Sequence, residues 1–208
     1  MPNTNSSNDF FTDYATRLSA VLGATNWSPV NQLAQAVLQC WKNGSHVFIC
    51  GNGGSAGNAI HLANDFLYGI AKQSGRGLKV TALSANPAVI TCLANDVGYD
   101  AIYSEQLAVL GSAGDILIAL SGSGNSSNIL KVLEQAKAQS ISSFAILGYT
   151  GGKAKNLTDT AIHFPINDMQ ISEDLQLVVG HMLMQYLYAR KEEIVNLWAY
   201  QKRLRLQF

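Results

Sequence analysis

Charged side chains are scarce in this sequence: Asp, Glu, Lys and Arg make up 13% of its 208 residues, about half the roughly 25% usual for a soluble domain. Fourteen cations offset fourteen anions, so there is no basic field to gather nucleic acid or an anionic membrane, and neither partner is expected. No apolar run comes near the roughly 20 residues needed to span a bilayer. Residues 1–9 are polar and lack the cationic and apolar segments of a secretion signal, which predicts a cytoplasmic protein. Cysteine is rare as well. Cys40, Cys50 and Cys92 show no Cys-x-x-Cys spacing for zinc or redox chemistry, and their apolar neighbours assign all three to the core. With 48% apolar residues the chain has material for a sizeable core, which excludes disorder. So little charge coats a lone globule thinly; part of the surface is expected to be covered in an oligomer, unless Ser, Asn and Gln wet it instead.

Apolar Phe10, Phe11, Tyr14, Leu18, Val21 and Leu22 recur at helical spacing up to Gly23. Ser28 followed by Pro29 reads as an N-cap and first-turn proline, opening a second helix through Leu33, Val37, Leu38 and Trp41 that stops at Gly44. From there short apolar runs at 46–50, 78–83, 115–120, 143–147 and 161–164 alternate with helical stretches. That alternation predicts an α/β fold, a five-stranded parallel sheet with helices on both faces. A last helix over 171–198 is apolar nearly all round, as if buried between layers or subunits. The tail at 200–208, cations mixed with Leu206 and Phe208, reads as a solvated helix end. With no repeat or linker in sight, one domain over 1–208 is expected: a helical pair at 1–44, then a parallel core and long helix at 45–208.

In such a sheet ligands bind beyond the carboxyl ends of the strands. Two loops there are rich in glycine and small polar residues. Cys50-Gly51-Asn52-Gly53-Gly54-Ser55 follows the first strand and opens a helix, so its amides can face an anion. Ser121-Gly122-Ser123-Gly124-Asn125-Ser126 follows the third strand and sets three hydroxyls around two glycines. A monophosphate suits these loops, although each alone reads equally as a helix-capping turn. The next strand ends in Ser84-Ala85-Asn86, with no carboxylate for a ribose hydroxyl, which argues against NAD. Gly151-Gly152-Lys153 continues with Ala154 rather than Ser or Thr, which removes a P-loop.

Two pairs of side chains have the chemistry of metal ligands. His61 and Asp65 stand four residues apart on the helix that starts at Ser55, on one face, where they can chelate a metal or simply pair at the surface. Glu173 and His181 stand eight residues apart on the last helix, on a similar face but roughly 12 Å apart along the axis; taken by itself, His181 reads as a core histidine.

The runs Cys50 to Ser55 and Leu120 to Ser126, with the strand order, resemble the sugar isomerase (SIS) domain, which binds phosphosugars, over nearly the whole chain. Within that superfamily the sequence is most similar to the phosphoheptose isomerases, which convert sedoheptulose 7-phosphate to a heptose 7-phosphate for lipopolysaccharide or capsule. The resemblance implies a flavodoxin-like three-layer αβα sandwich preceded by two helices used in oligomerisation, a homotetramer, and one Zn2+ per subunit. The family's zinc ligands are His, Glu, Gln and His, and the matching positions here are His61, Asp65, Glu173 and His181, two kept and two changed. It further implies Asp65 as general base and His181 as general acid of an enediol isomerisation. The implied substrate contacts are Asn52, Gly53, Gly54, Ser55, Asn95, Asp96, Ser121, Ser123, Ser126 and Glu173, with Gly122 where the family has a small hydroxyl residue. The family's Thr-Gly-Arg stretch reads Leu67-Tyr68-Gly69 here, which removes a cation from near the substrate. The alternatives are a non-catalytic SIS module that binds a phosphosugar, as in regulators, or one that binds the replication initiator protein. A tandem SIS amidotransferase would need a longer chain.

Overall fold

The computed structural model of the chain describes residues 7–196. Five strands, β1 (His46–Gly51), β2 (Lys79–Ala82), β3 (Ile116–Ser121), β4 (Ser142–Leu147) and β5 (Thr160–His163), pair in the order β2-β1-β3-β4-β5, every pair parallel. The strands are near-continuous apolar runs because both faces of the sheet are covered. Successive side chains divide between the faces with period two. Val47, Ile49, Ile116, Ile118 and Leu120 enter one core, and Phe48, Cys50, Leu117 and Ala119 the other.

The first core is closed by α1 (Ser7–Ala24), α2 (Ser28–Asn43), α3 (Gly54–Asn64) and the last long helix; the second by helices crossing between β2 and β5. Between α3 and β2 come one π-helical turn, Asp65–Gly69, and a short α4 (Ala71–Ser74). Then follow α5 (Pro87–Asp96), a 3-10 turn Tyr99–Ala101, α6 (Ser104–Leu110), α7 (Ser127–Ala138), α8 (Ala154–Leu157) and α9 (Met169–Tyr188). This is the expected three-layer α/β sandwich with two leading helices. Among the described residues no helix is long and apolar enough to cross a membrane.

Four expectations need correction. Ser28 is the first helical residue of α2 rather than its cap: Trp27 holds the N-cap position, and the Ser28 amide donates to Asn26 Oδ1 at 3.0 Å. Cys92 is exposed, because it lies on the outer side of α5, a helix with no buried residue. Cys40 and Cys50 are buried as expected, and burial pushes the Cys40 thiol up to about 12 and the Cys50 thiol higher still, so both stay protonated. The last helix ends at Tyr188, with a further helical stretch at 191–196; the expected end point at 198 and the tail 200–208 lie outside the described residues. Nor is α9 wrapped all round. It buries one broad face, Ile171, Leu175, Val179, Leu183 and Leu187 beside Ser172, Gln176 and Gly180, and leaves His181 and Met182 exposed.

Asp168 caps α9, accepting from the Ile171 amide at 3.1 Å, and accepts from Arg17 Nη1 at 2.6 Å, which ties α1 to the start of that helix. The hydrogen bond from Arg17 and that from the Ile171 amide hold its carboxyl below the usual carboxylate range. The strand order reverses between β1 and β3. The loops following these two strands flank the crevice where ligands bind in doubly wound sheets.

Candidate active site

The loop at 122–126 is built to present donors. Ser121 Oγ accepts from the Gly124 amide at 3.0 Å and Ser123 Oγ from the Asn125 amide at 3.3 Å, so both hydroxyl hydrogens remain available. Ser126 sits at the N-cap position of α7 without a side-chain cap bond. The first-turn amides of Ser127 and Asn128 have no acceptor inside the helix and point into the same region. Gly124 has φ +65°, and a Cβ on it would lie 2.0 Å from Gly151 O. The loop after β4 thus braces the serine loop, with the Ala154 amide donating to Gly124 O at 2.9 Å and the Lys153 amide to Asn125 Oδ1 at 3.0 Å. At Gly122 a Cβ would stand 2.6 Å from Met169 Sδ, so the α9 methionine fills the space that a small side chain would need.

Across the switch, Gly53 and Gly54 open α3. The Asn52 side chain is engaged: it donates to Asn128 Oδ1 at 2.8 Å, and its Oδ1 accepts from Asn128 Nδ2 at 2.8 Å and Tyr99 OH at 3.2 Å. Tyr103 OH donates to Gly51 O and lies 3.4 Å from Asn52 Oδ1; burial pushes its pKa up, which keeps the phenol a donor. Ser55 is buried and its Oγ accepts from Gln176 Nε2 at 2.9 Å, so this hydroxyl serves the contact between helices. Asn95 and Asp96 form the exposed end of α5, Asn95 Nδ2 donating to Asp96 Oδ1 at 2.7 Å.

His61, Asp65 and His181 converge. The two imidazole Nε2 atoms are 3.0 Å apart, and Asp65 Oδ2 lies 3.4 Å from His61 Nε2 and 3.8 Å from His181 Nε2. The rings meet edge to face, crossing at 84°, and are not stacked. Ligands of a tetrahedral zinc at bonds of about 2.0–2.2 Å stand roughly 3.3–3.6 Å from one another, and the three separations here, 3.0, 3.4 and 3.8 Å, bracket that range. Three protein ligands with a fourth position open is the pattern of catalytic rather than structural zinc. Glu173 does not join them. Its carboxylate packs on Gly54, where a Cβ would lie 2.3 Å from Oε2, because two further turns of α9 separate it from His181.

The meeting of the three donors depends on how α3 and α9 touch. Asn58 Nδ2 donates to Gln176 Oε1 and to Glu173 O, both at 3.0 Å, and Gln176 is 1% exposed. Further along, Gly180 lets the helices close up: a Cβ there would stand 2.1 Å from Leu62 Cδ2. Asp65 begins the π turn, in which the Ile70 amide reaches Asp65 O at 3.1 Å, and such wide turns recur at functional sites.

Asn58, Gln176, Asn128, Tyr99 and Tyr103 were not among the residues the sequence singled out. The signal for three of them was a polar residue on an apolar helical stripe: Asn128 with Val132 and Ala136, Asn58 with Leu62 and Phe66, Gln176 with Val179 and Leu183. A buried amide on such a stripe needs partners, and here the partners lie in the site.

The fold and the two strand-end loops are those of a SIS domain, and the SIS domain family model matches residues 10–148. The chain is 36% identical to the phosphoheptose isomerase of Aneurinibacillus thermoaerophilus over 154 residues, 74% of this chain and 77% of that protein. A solved phosphoheptose isomerase from Francisella tularensis superposes with a TM-score of 0.82 at 27% identity, covering 91% of this chain and all of that one. One from Neisseria gonorrhoeae gives 0.78 at 27% identity, covering 86% and 96%. The chain belongs to the phosphoheptose isomerase family.

Proposed function

We propose that the protein interconverts sedoheptulose 7-phosphate and a heptose 7-phosphate through an enediol, as a cytoplasmic, zinc-dependent homotetramer supplying heptose for lipopolysaccharide or capsule. The observation that carries this reading is the convergence of His61, Asp65 and His181, brought from two helices to within 3.0–3.8 Å. A module that only held a phosphosugar would have no use for it. These three residues would hold the ion, which when bound polarises the sugar carbonyl as a Lewis acid.

The chain's own groups do the rest. Hydroxyls of Ser121, Ser123 and Ser126 and the first-turn amides of α7 grip the phosphate. The sugar chain runs past bare Gly53 and Gly54 along α3, whose axis covers about 10 Å from Gly54 to His61. Glu173, lying on Gly54, accepts from sugar hydroxyls, and Asn95 and Asp96 are assigned to the same task. Asp65 turns Oδ2 to the imidazoles, and Oδ1, which accepts a long 3.4 Å bond from Asn64 Nδ2, takes the proton from C1. If His181 Nε2 held the ion, the proton that His181 would give as general acid would be the one on Nδ1. Phe10 and Phe11, both about two-thirds exposed on α1 (69% and 68%), support the leading helices as a subunit contact.

Purified protein with stoichiometric zinc is expected to deplete sedoheptulose 7-phosphate and yield the aldose, followed by chromatography or an aldose-specific assay. Absence of turnover with zinc bound contradicts the proposal.

A further inference from the structure

We infer that Asn128 is a positioning residue: with Asn52 it forms a two-bond amide clamp that holds the phosphate-gripping loop and the glycine loop in register across the β1/β3 crevice. The inference rests on the isomerase reading for its kinetic consequence, but not for its geometry. The two carboxamides face each other reciprocally, each Nδ2 donating to the other's Oδ1 at 2.8 Å. This arrangement uses the amide's paired donor and acceptor and fixes both planes, which a single hydrogen bond does not.

Asn128 is 1% exposed. It occupies the first turn of α7, two residues beyond Ser126, while Asn52 lies in the loop between β1 and α3. The pair therefore joins the segment that grips the phosphate to the one that the sugar chain passes. Tyr99 and Tyr103 close the remaining approach to Asn52 Oδ1, so this oxygen is not open to a sugar. Substrate contact by Asn52 is left to its backbone and to its second Nδ2–H.

Opening the clamp leaves the phosphate grip in place, since the serine loop is braced separately by the Gly124 amide on Ser121 Oγ and by the Gly124–Ala154 contact. What changes is the offset between phosphate and the carbon that must meet Asp65. Misplacement on the order of 1 Å costs about 100-fold in rate. Asn128→Ala is therefore expected to lower kcat for sedoheptulose 7-phosphate by roughly 10 to 100-fold while KM moves less than about threefold. Asn52→Ala should do the same, and the double variant should be no worse than either single one by more than about twofold, because the two act as a unit.

A second arm does not require turnover. In the wild-type protein the Asn52 and Asn128 side-chain NH2 protons are expected to exchange at least about tenfold more slowly than that of exposed Asn95, and Asn128→Ala should release Asn52. Fast exchange in the wild type, a rise in KM with kcat unchanged, or losses that multiply in the double variant would overturn the clamp. If the wild type is inert on the sugar phosphate, the isomerase reading fails and the exchange arm alone decides for or against the clamp.

Discussion

Replacing His181 with alanine is expected to lower kcat/KM for sedoheptulose 7-phosphate by at least about a thousandfold while the fold persists. His181 is exposed on α9, and its side chain supports no core contact that its neighbours Val179 and Leu183 do not already make. Surface truncations of this kind change stability by about 0.5 kcal/mol or less. The chemical loss is large because one imidazole serves two ends. It removes a third of the donor set that lies within 3.0–3.8 Å, and it removes the proposed acid. Equilibrium dialysis should show weakened zinc retention alongside the kinetic loss, with an unchanged melting curve. Activity within about tenfold of wild type would mean that the reaction does not pass through this group.

Gly180→Ala is expected to be the second most damaging change, and in a direction that helix propensity alone would not give. Alanine in place of glycine inside a helix ordinarily stabilises by about 0.5–1 kcal/mol. Here the added methyl would stand 2.1 Å from Leu62 Cδ2 and 2.8 Å from Cδ1. Leu62 is 2% exposed and packed within the first core, so it has nowhere to turn. Overpacking of that kind costs about 1–3 kcal/mol. The helices must part, and the glycine that parts them immediately precedes His181 while Leu62 immediately follows His61. The variant is therefore expected to melt lower by several degrees, with about 4–8 °C per kcal/mol for a small domain and less for a larger one, and to lose roughly 100-fold in kcat. A raised melting temperature with full activity would show that the close approach of α3 and α9 is not what assembles the donors.

The strands, their parallel pairing and the two loops at their ends were legible because parallel sheets leave strong traces: short apolar runs, then glycine and serine, then helical periodicity. Tertiary demands explain most of what was not. Cys92 has apolar neighbours in sequence, but α5 lies on the surface with no buried residue, so local composition misplaced it. The spacing of Ser28 and Pro29 marked the right turn and the wrong residue, since Asn26 supplies the acceptor from outside the helix. His61, Asp65 and His181 were named together only through resemblance; no spacing rule connects residues 120 apart, and their meeting depends on Gly180, on the half-buried amide of Asn58 and on the buried amide of Gln176. Glu173 shows the converse. Helical phase put it on a face similar to that of His181, while the rise of α9 carries it to Gly54 instead.

Running the reaction in D2O, with zinc at one equivalent, tests the central claim most directly. Proton abstraction at C1 of sedoheptulose 7-phosphate followed by return from a solvent-exchanged group predicts an aldose 7-phosphate carrying deuterium at C2, seen as loss of that proton signal by NMR. Tight binding of the sugar phosphate with neither aldose formation nor deuterium uptake would contradict it, and would leave the crevice a receptor for phosphosugars rather than a catalyst.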